Sequence, residues 1–254
     1  MPNVHQDFPK LVPQNLVCKE EKSWHRVVHR DVKSRLRDES DFPCIFSKAA
    51  FQKGLLRFVF VESIEPNDIR QLAEGLVEYV DLSRGWNGSL NTAYPLVAAF
   101  SRDAIRTQSL EGYHDFGWKV LQKLHEIDPA PWPENVSKDP DAPAWSMCFN
   151  GMPLFCNMSH PAHRARRSRN LGEHFLLIIN PRERFDIVAG DTPSGRKVRS
   201  HIRNRIARYD RVSHCPQLAS YGATGAVEWW QYSMSDDNRE RTDKCPFKFA
   251  NENS

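Results

Sequence analysis

The sequence predicts an α+β fold: a single domain in which a mixed, largely antiparallel sheet is flanked by amphipathic helices. Three observations carry that expectation. Short apolar runs, several rich in β-branched and aromatic residues, recur at 55–61, 96–100, 145–149, 154–158 and 175–180. Apolar residues at helical spacing lie between them. Asn150-Gly151 separates two of the runs, and that dipeptide closes two-residue hairpins because both positions tolerate a left-handed backbone, so the strands there run antiparallel.

Taken in order, residues 1–40 are polar and charged around Trp24 and read as an N-terminal arm or a peripheral helix. Leu55–Val61 (LLRFVFV) is a strand by its β-branched and aromatic content. Pro66 opens a helix with Ile69, Leu72, Ala73, Leu76, Val77 and Val80 on one face, and Gly85 and Gly88 end it. Leu96–Phe100 is a short apolar strand. A second helix carries Phe116, Val120, Leu121, Leu124 and Ile127. Prolines at 129, 131, 133, 140 and 143 then forbid a helix and make a rigid connector. Trp145–Phe149, Leu154–Met158 and Phe175–Asn180 are strands. Thr192-Pro193 starts a basic helix running to about Arg211, with Val198, Ile202, Ile206 and Tyr209 as its buried stripe. Glu228–Met234 (EWWQYSM) alternates as a last strand, with Trp229, Trp230 and Tyr232 packing or lining a pocket; if exposed, this strand would support a homodimer. The expected division is an arm at 1–40, one α+β domain at 41–240 and a charged tail at 241–254.

Composition narrows the class of protein. With 40% hydrophobic and 26% charged residues in 254, the chain buries a real core and is not disordered. The 35 Lys and Arg are offset by 32 Asp and Glu, so net charge does not point to nucleic acid. Six cysteines without a C-x-x-C, no apolar leader and no membrane-length apolar run suggest a reduced, cytoplasmic protein. No nucleophile elbow, phosphate loop or dinucleotide fingerprint occurs. Gly190–Gly195 (GDTPSG) is a turn into a helix N-terminus, which can hold an anion but is equally the ordinary Pro-at-N1 start of a helix.

The densest chemistry lies in Asn157–Gly172 (NMSHPAHRARRSRNLG), where His160 and His163 precede Arg164, Arg166, Arg167 and Arg169. Neutral imidazoles are common transition-metal ligands, and arginine forks grip carboxylates and phosphates. Haem, a metal in a carboxylate-bearing ring, would use both. A turn capped by two surface histidines accounts for the spacing equally well. Two further ligands for a closed zinc site are not evident, whereas haem needs one axial ligand. Cys215, in a Cys-Pro dipeptide, is the thiolate rival. The arginine run and the face Arg196, Arg199, Arg203 could instead bind nucleic-acid phosphates through segments 164–169 and 196–211; a solvated helix face explains the second pattern fully.

Several segments together resemble the YqcI/YcgG family: DFPCIF (41–46), DPDAPAWSMCFNGMPLFCNMSHPAHRARRSRNLG (139–172), NPRERFD (180–186), GDTPSGRKVRSHIRNRIARYD (190–210) and EWWQYSMSDDN (228–238). The family includes haem-dependent N-hydroxylases of arginine and related guanidino compounds. The resemblance implies an oxidoreductase of monooxygenase type that hydroxylates a nitrogen of a guanidino or amino substrate such as L-arginine. It implies haem b with a histidine ligand, O2 or peroxide as co-substrate, and an electron donor. His160 is the first choice for the iron. His163 departs from the pattern by intervening before the arginines, which leaves the ligand open between the two. Arg164, Arg166 and Arg167 would hold propionates or a substrate carboxylate. A cationic guanidinium would need an acidic partner, with Asp186, Asp191 and Glu173 as candidates. A haem-binding protein without catalysis is the remaining alternative.

Overall fold

Alternating apolar positions in the central runs divide one sheet between two cores. The computed structural model describes residues 10–19, 22–215 and 222–249. Residues 1–9 of the expected arm and 250–254 of the expected tail lie outside these, as does Pro216. The elements are β1 (Val12–Pro13), α1 (Ser23–Leu36), α2 (Ile45–Gln52), β2 (Arg57–Val61), α3 (Pro66–Ser83), β3 (Leu96–Phe100), α4 (Leu110–Glu126), β4 (Met147–Phe149), β5 (Met152–Ser159), β6 (Phe175–Pro181), α5 (Arg182–Ala189), α6 (Pro193–Tyr209) and α7 (Trp229–Tyr232). The six strands form one sheet in the order β1-β2-β3-β6-β5-β4. Only β2 and β3 run parallel, joined by α3 as the crossover that a parallel pair requires. The remaining pairs are antiparallel.

Side chains of a strand point alternately to opposite faces. In β3 and β6, Leu96, Ala98, Phe100, Phe175, Leu177 and Ile179 face the core under α3, α4 and α7. Val97, Ala99 and Leu176 face the second core, where Val28, Val32 and Leu36 of α1 pack with Ala50 of α2. This is an α+β domain with helices on both faces. The described part of segment 1–40 is therefore built into the second core through α1 and into the sheet edge through β1. Asn150 (φ 48°) and Gly151 (φ 70°) form the expected tight turn, with Phe149 opposite Met152. The Asp128 carboxylate braces that turn by accepting the Asn150 amide at 2.9 Å.

Three expectations need correcting. Glu228–Met234 is not a strand: residues 229–232 form a turn of helix. Buried Glu228 accepts from Tyr232 Oη (2.8 Å) and Ser146 Oγ (2.6 Å) and pairs with Arg182 at 2.9 Å. That i to i+4 bond needs helical geometry, and Trp229 and Tyr232 are wholly inside the domain's own core rather than on a surface. The stripe of α6 is only half-buried at Val198, Ile202, Ile206 and Tyr209; Gly195 alone is buried there. Ile127 follows α4 at its C-cap and is exposed.

Gly172, which leads from the β5–β6 loop into β6, has φ 147°, and a Cβ there would lie 2.5 Å from the Asp31 Cβ. Gly172→Ala is expected to lower unfolding free energy by more than about 1 kcal/mol, since both backbone and space reject the methyl group. Denaturant melts of the variant check this; unchanged stability would mean that the loop has another conformation.

Candidate metal centre

Strand β5 ends at Ser159, and the chain then makes a closed loop back to β6. The His160 amide donates to the Arg169 carbonyl (3.1 Å), and the Asn170 side chain donates to the His163 carbonyl (3.1 Å). The Leu171 amide donates to Ser159 Oγ at 3.0 Å. Two distant carboxylates complete the loop. Asp210, just after α6, accepts the Ser168 amide (2.7 Å) and hydroxyl (2.8 Å). Asp236 accepts the amides of Arg164 (3.1 Å), Ala165 (2.9 Å) and Arg166 (2.7 Å).

That closure turns His160 and His163 inward. Both are essentially inaccessible, at 0% and 1% exposure. Their rings stack 4.2 Å apart, and Tyr113 of α4 stacks on His160 at 4.7 Å. The neighbouring α4 residue, His114, brings a third imidazole 5.3 Å from His160 and 6.0 Å from His163. Ligand atoms of the three lie within 4.8 Å of one another. His114 Nε2, both ring nitrogens of His160 and His163 Nε2 are buried without a hydrogen-bond partner. Buried polar atoms are ordinarily satisfied, and each of these neutral imidazoles has one lone pair with which it could ligate a metal. His163 Nδ1 faces Asp236 Oδ1 at 3.4 Å. The tautomer that donates to this carboxylate leaves Nε2 free, the arrangement of a metal-bound histidine held from behind.

Burial pushes the pKa of His160 and of His163 down to about 2 and that of His114 to about 4. Neighbouring imidazoles lower His160 and His163 further, and Arg169 lowers His163 and His114. At neutral pH the cluster is uncharged, as metal ligation requires.

The other expected site residues sit elsewhere. Arg166 is buried, but its Nε donates to the Ser235 carbonyl (2.7 Å) and its Nη2 to the Asp237 carbonyl and Asn238 Oδ1 (both 2.8 Å). Arg167 is exposed, stacks on Tyr209 and donates to its carbonyl. Arg164 is exposed. Cys215 is buried and stands outside the histidine cluster. Asp186 pairs with Arg182, Asp191 with Arg196 and Glu173 with Arg102. In the basic helix, Arg196 and Arg199 pair with Asp191, and Arg205 donates to the Phe42 and Pro43 carbonyls. The sequence reading missed His114 and Asp236. A histidine 46 positions before His160 carries no spacing signal, and His114 precedes Phe116, the first residue that the sequence assigns to the second helix. The SDDN run containing Asp236 lay in a matched segment, but nothing in the sequence directed it to the histidine loop.

The sequence profile of the YqcI/YcgG family matches residues 32–248. A Streptomyces lavendulae protein named "Putative N(omega)-hydroxy-L-arginine synthase DcsA" is 61% identical over 240 residues, covering 94% of this chain and 90% of that protein. The Bacillus subtilis (strain 168) proteins YcgG and YqcI are 35% and 34% identical, covering 89% and 82% of this chain and 88% and 81% of their own lengths. No solved structure matches. Among the described residues, no helix is long and apolar enough to cross a membrane.

The buried neutral histidines dictate an acid response. Their folded pKa values lie below the unfolded value of 6.5, so above pH 6.5 they do not affect stability. As pH falls below 6.5, the unfolded chain takes up protons that the folded chain refuses. Each histidine then removes up to about 1.4 kcal/mol per pH unit, down to about pH 4 for His114 and lower for the other two. Denaturant midpoints of the metal-free protein are expected to hold between pH 6.5 and 8 and fall steeply from 6.5 to 4; a flat profile would contradict neutral burial.

Proposed function

The chain belongs to the YqcI/YcgG family, and from that premise we propose that it is an arginine Nω-hydroxylase whose iron is held at the histidine cluster. The observation that carries the reading is the set of buried, unpartnered imidazoles in a chain 61% identical to the Streptomyces lavendulae protein. A haem b would fit that donor set, because its iron would need one imidazole and His160 has both nitrogens unpartnered. When bound, the iron supplies activation of O2 or peroxide for oxygen transfer to nitrogen, with an electron donor where O2 is used.

The protein's own residues do the rest. His160 would give an electron pair to the metal and, being neutral near pH 7, would need no deprotonation to do so. Asp236 fixes the His163 ring and makes its free nitrogen more basic. Tyr113 and Phe175 lie parallel to His160 and keep water from its faces.

A second reading has its own observation: three imidazoles converge, where a haem needs one. In that reading His114, His160 and His163 bind an iron ion directly, and arginine remains the substrate.

Absorption spectra with and without haemin, together with iron analysis, separate the two. A stoichiometric Soret band is expected for haem, and one iron per chain without that band for direct ligation. Neither result would remove iron from the site. His160→Ala is expected to abolish cofactor retention, and full retention would exclude His160 as the ligand. Asp236→Asn is expected to weaken metal affinity by roughly 10–100-fold, measured by competition with a chelator. Incubation with L-arginine, an oxidant and a reductant is expected to yield a product one oxygen atom heavier. No such product from cofactor-loaded protein would sink the hydroxylase reading and leave a binding protein.

A further inference from the structure

Among the described residues, Arg169 is the arginine of the run with a buried guanidinium nitrogen that has no hydrogen-bond partner. Its Nη1 is buried with no hydrogen-bond partner, and its Nη2 donates to the Met234 sulfur at 3.0 Å, a weak acceptor. Arg166, three residues earlier, shows the contrast: two carbonyls and an amide oxygen accept from its Nε and Nη2. Asp210 acts on Arg169 electrostatically, yet its carboxylate oxygens receive the Ser168 amide and hydroxyl. The guanidinium lies close enough to His163 and His114 to oppose protonation of both. Its carbonyl holds the His160 amide, so the residue is built into the same loop. A half-buried cation with one guanidinium nitrogen enclosed and unpartnered beside neutral imidazoles is costly unless an anion completes it, and a planar fork selects a carboxylate.

We propose that Arg169 binds a carboxylate beside the histidine cluster, and thereby positions the ligand that carries it. Two ligands present this chemistry: the α-carboxylate of an amino-acid substrate and a carboxylate arm of the porphyrin. The identity of the ligand rests on the arginine-hydroxylase reading; the carboxylate seat rests on the unpartnered Nη1 of the guanidinium.

The test compares wild type, Arg169→Met and Arg169→Lys by calorimetric titration with L-arginine, with agmatine (arginine without its carboxylate) and with haemin. If the seat takes the substrate, Arg169→Met weakens L-arginine binding on the order of 30-fold or more and leaves agmatine and haemin within about threefold. If it takes the porphyrin, haemin retention falls and the ratio of arginine to agmatine affinity is unchanged. Arg169→Lys, which keeps the charge and loses the fork, is intermediate in either case. Ligand-free Arg169→Met is also expected to melt above wild type, since it removes a half-buried charge whose enclosed nitrogen has no hydrogen-bond partner.

The proposal is overturned if all three affinities survive Arg169→Met, or if wild type binds none of the three ligands. It is also overturned if ligand-free Arg169→Met melts several degrees lower, which would mean that the guanidinium already has a structural partner. Should Arg169→Met not fold, unchanged L-arginine and haemin binding in Arg169→Lys overturns it. A wild type that binds L-arginine without hydroxylating it defeats the hydroxylase reading alone, and the variants still decide the role of Arg169.

Discussion

Three imidazoles can be buried against one another only if none of them carries a proton. That constraint governs the surroundings of His114, His160 and His163. Tyr113 and Phe175 offer ring faces to His160, and among the described residues no carboxylate hydrogen-bonds to it. Asp236 approaches a single nitrogen of His163, where it favours one tautomer. Four ring nitrogens remain without partners, an arrangement that burial alone would penalise. The fold tolerates this because β3 and β6 are packed on both faces, giving the cluster a stiff base in a well-filled core.

The site is assembled from three regions of the chain, each with a different task. Helix α4 supplies His114 and the Tyr113 ring, and its position is set by packing on the sheet through Phe116, Val120, Leu121 and Leu124. The β5–β6 loop supplies two histidines and closes on itself through hydrogen bonds. The segment after α7 supplies Asp236, and α7 is anchored by the buried Glu228 group. Burial raises Glu228 to about 7 even though Arg182, at 2.9 Å, and the Ser146 and Tyr232 hydroxyls all favour its charged form. The carboxylate that steadies a histidine is thus positioned by a separate polar network on the far side of α7.

Much of the scaffold was legible because periodicity is a local property. The faces of α3 and α4, the Asn150-Gly151 turn and the central strands follow from spacing and turn chemistry alone. The segment around Trp229 was not legible: three aromatics in four residues suit alternation, and the helical solution depends on Ser146 and Arg182, 82 and 46 residues away. The site divides in the same manner. His160 and His163 stand out as a local cluster, and their resemblance to a family pattern gave them a chemistry. The three arginines expected beside them are displaced by contacts that no spacing encodes: the carbonyls of Ser235 and Asp237 for Arg166, the ring of Tyr209 for Arg167 and solvent for Arg164.

The bond between Asp236 and the histidine loop spans 73 residues. A ribosome adds roughly 5–20 residues per second, so this carboxylate is made about 4–15 s after His163. During that interval the loop amides of residues 164–166 have no acceptor from Asp236, and the histidine rings lack the brace that orients one of them. The metal-binding geometry is consequently a late product of synthesis. A nascent chain halted before residue 236 would carry all three histidines and still lack the arrangement that makes them a site.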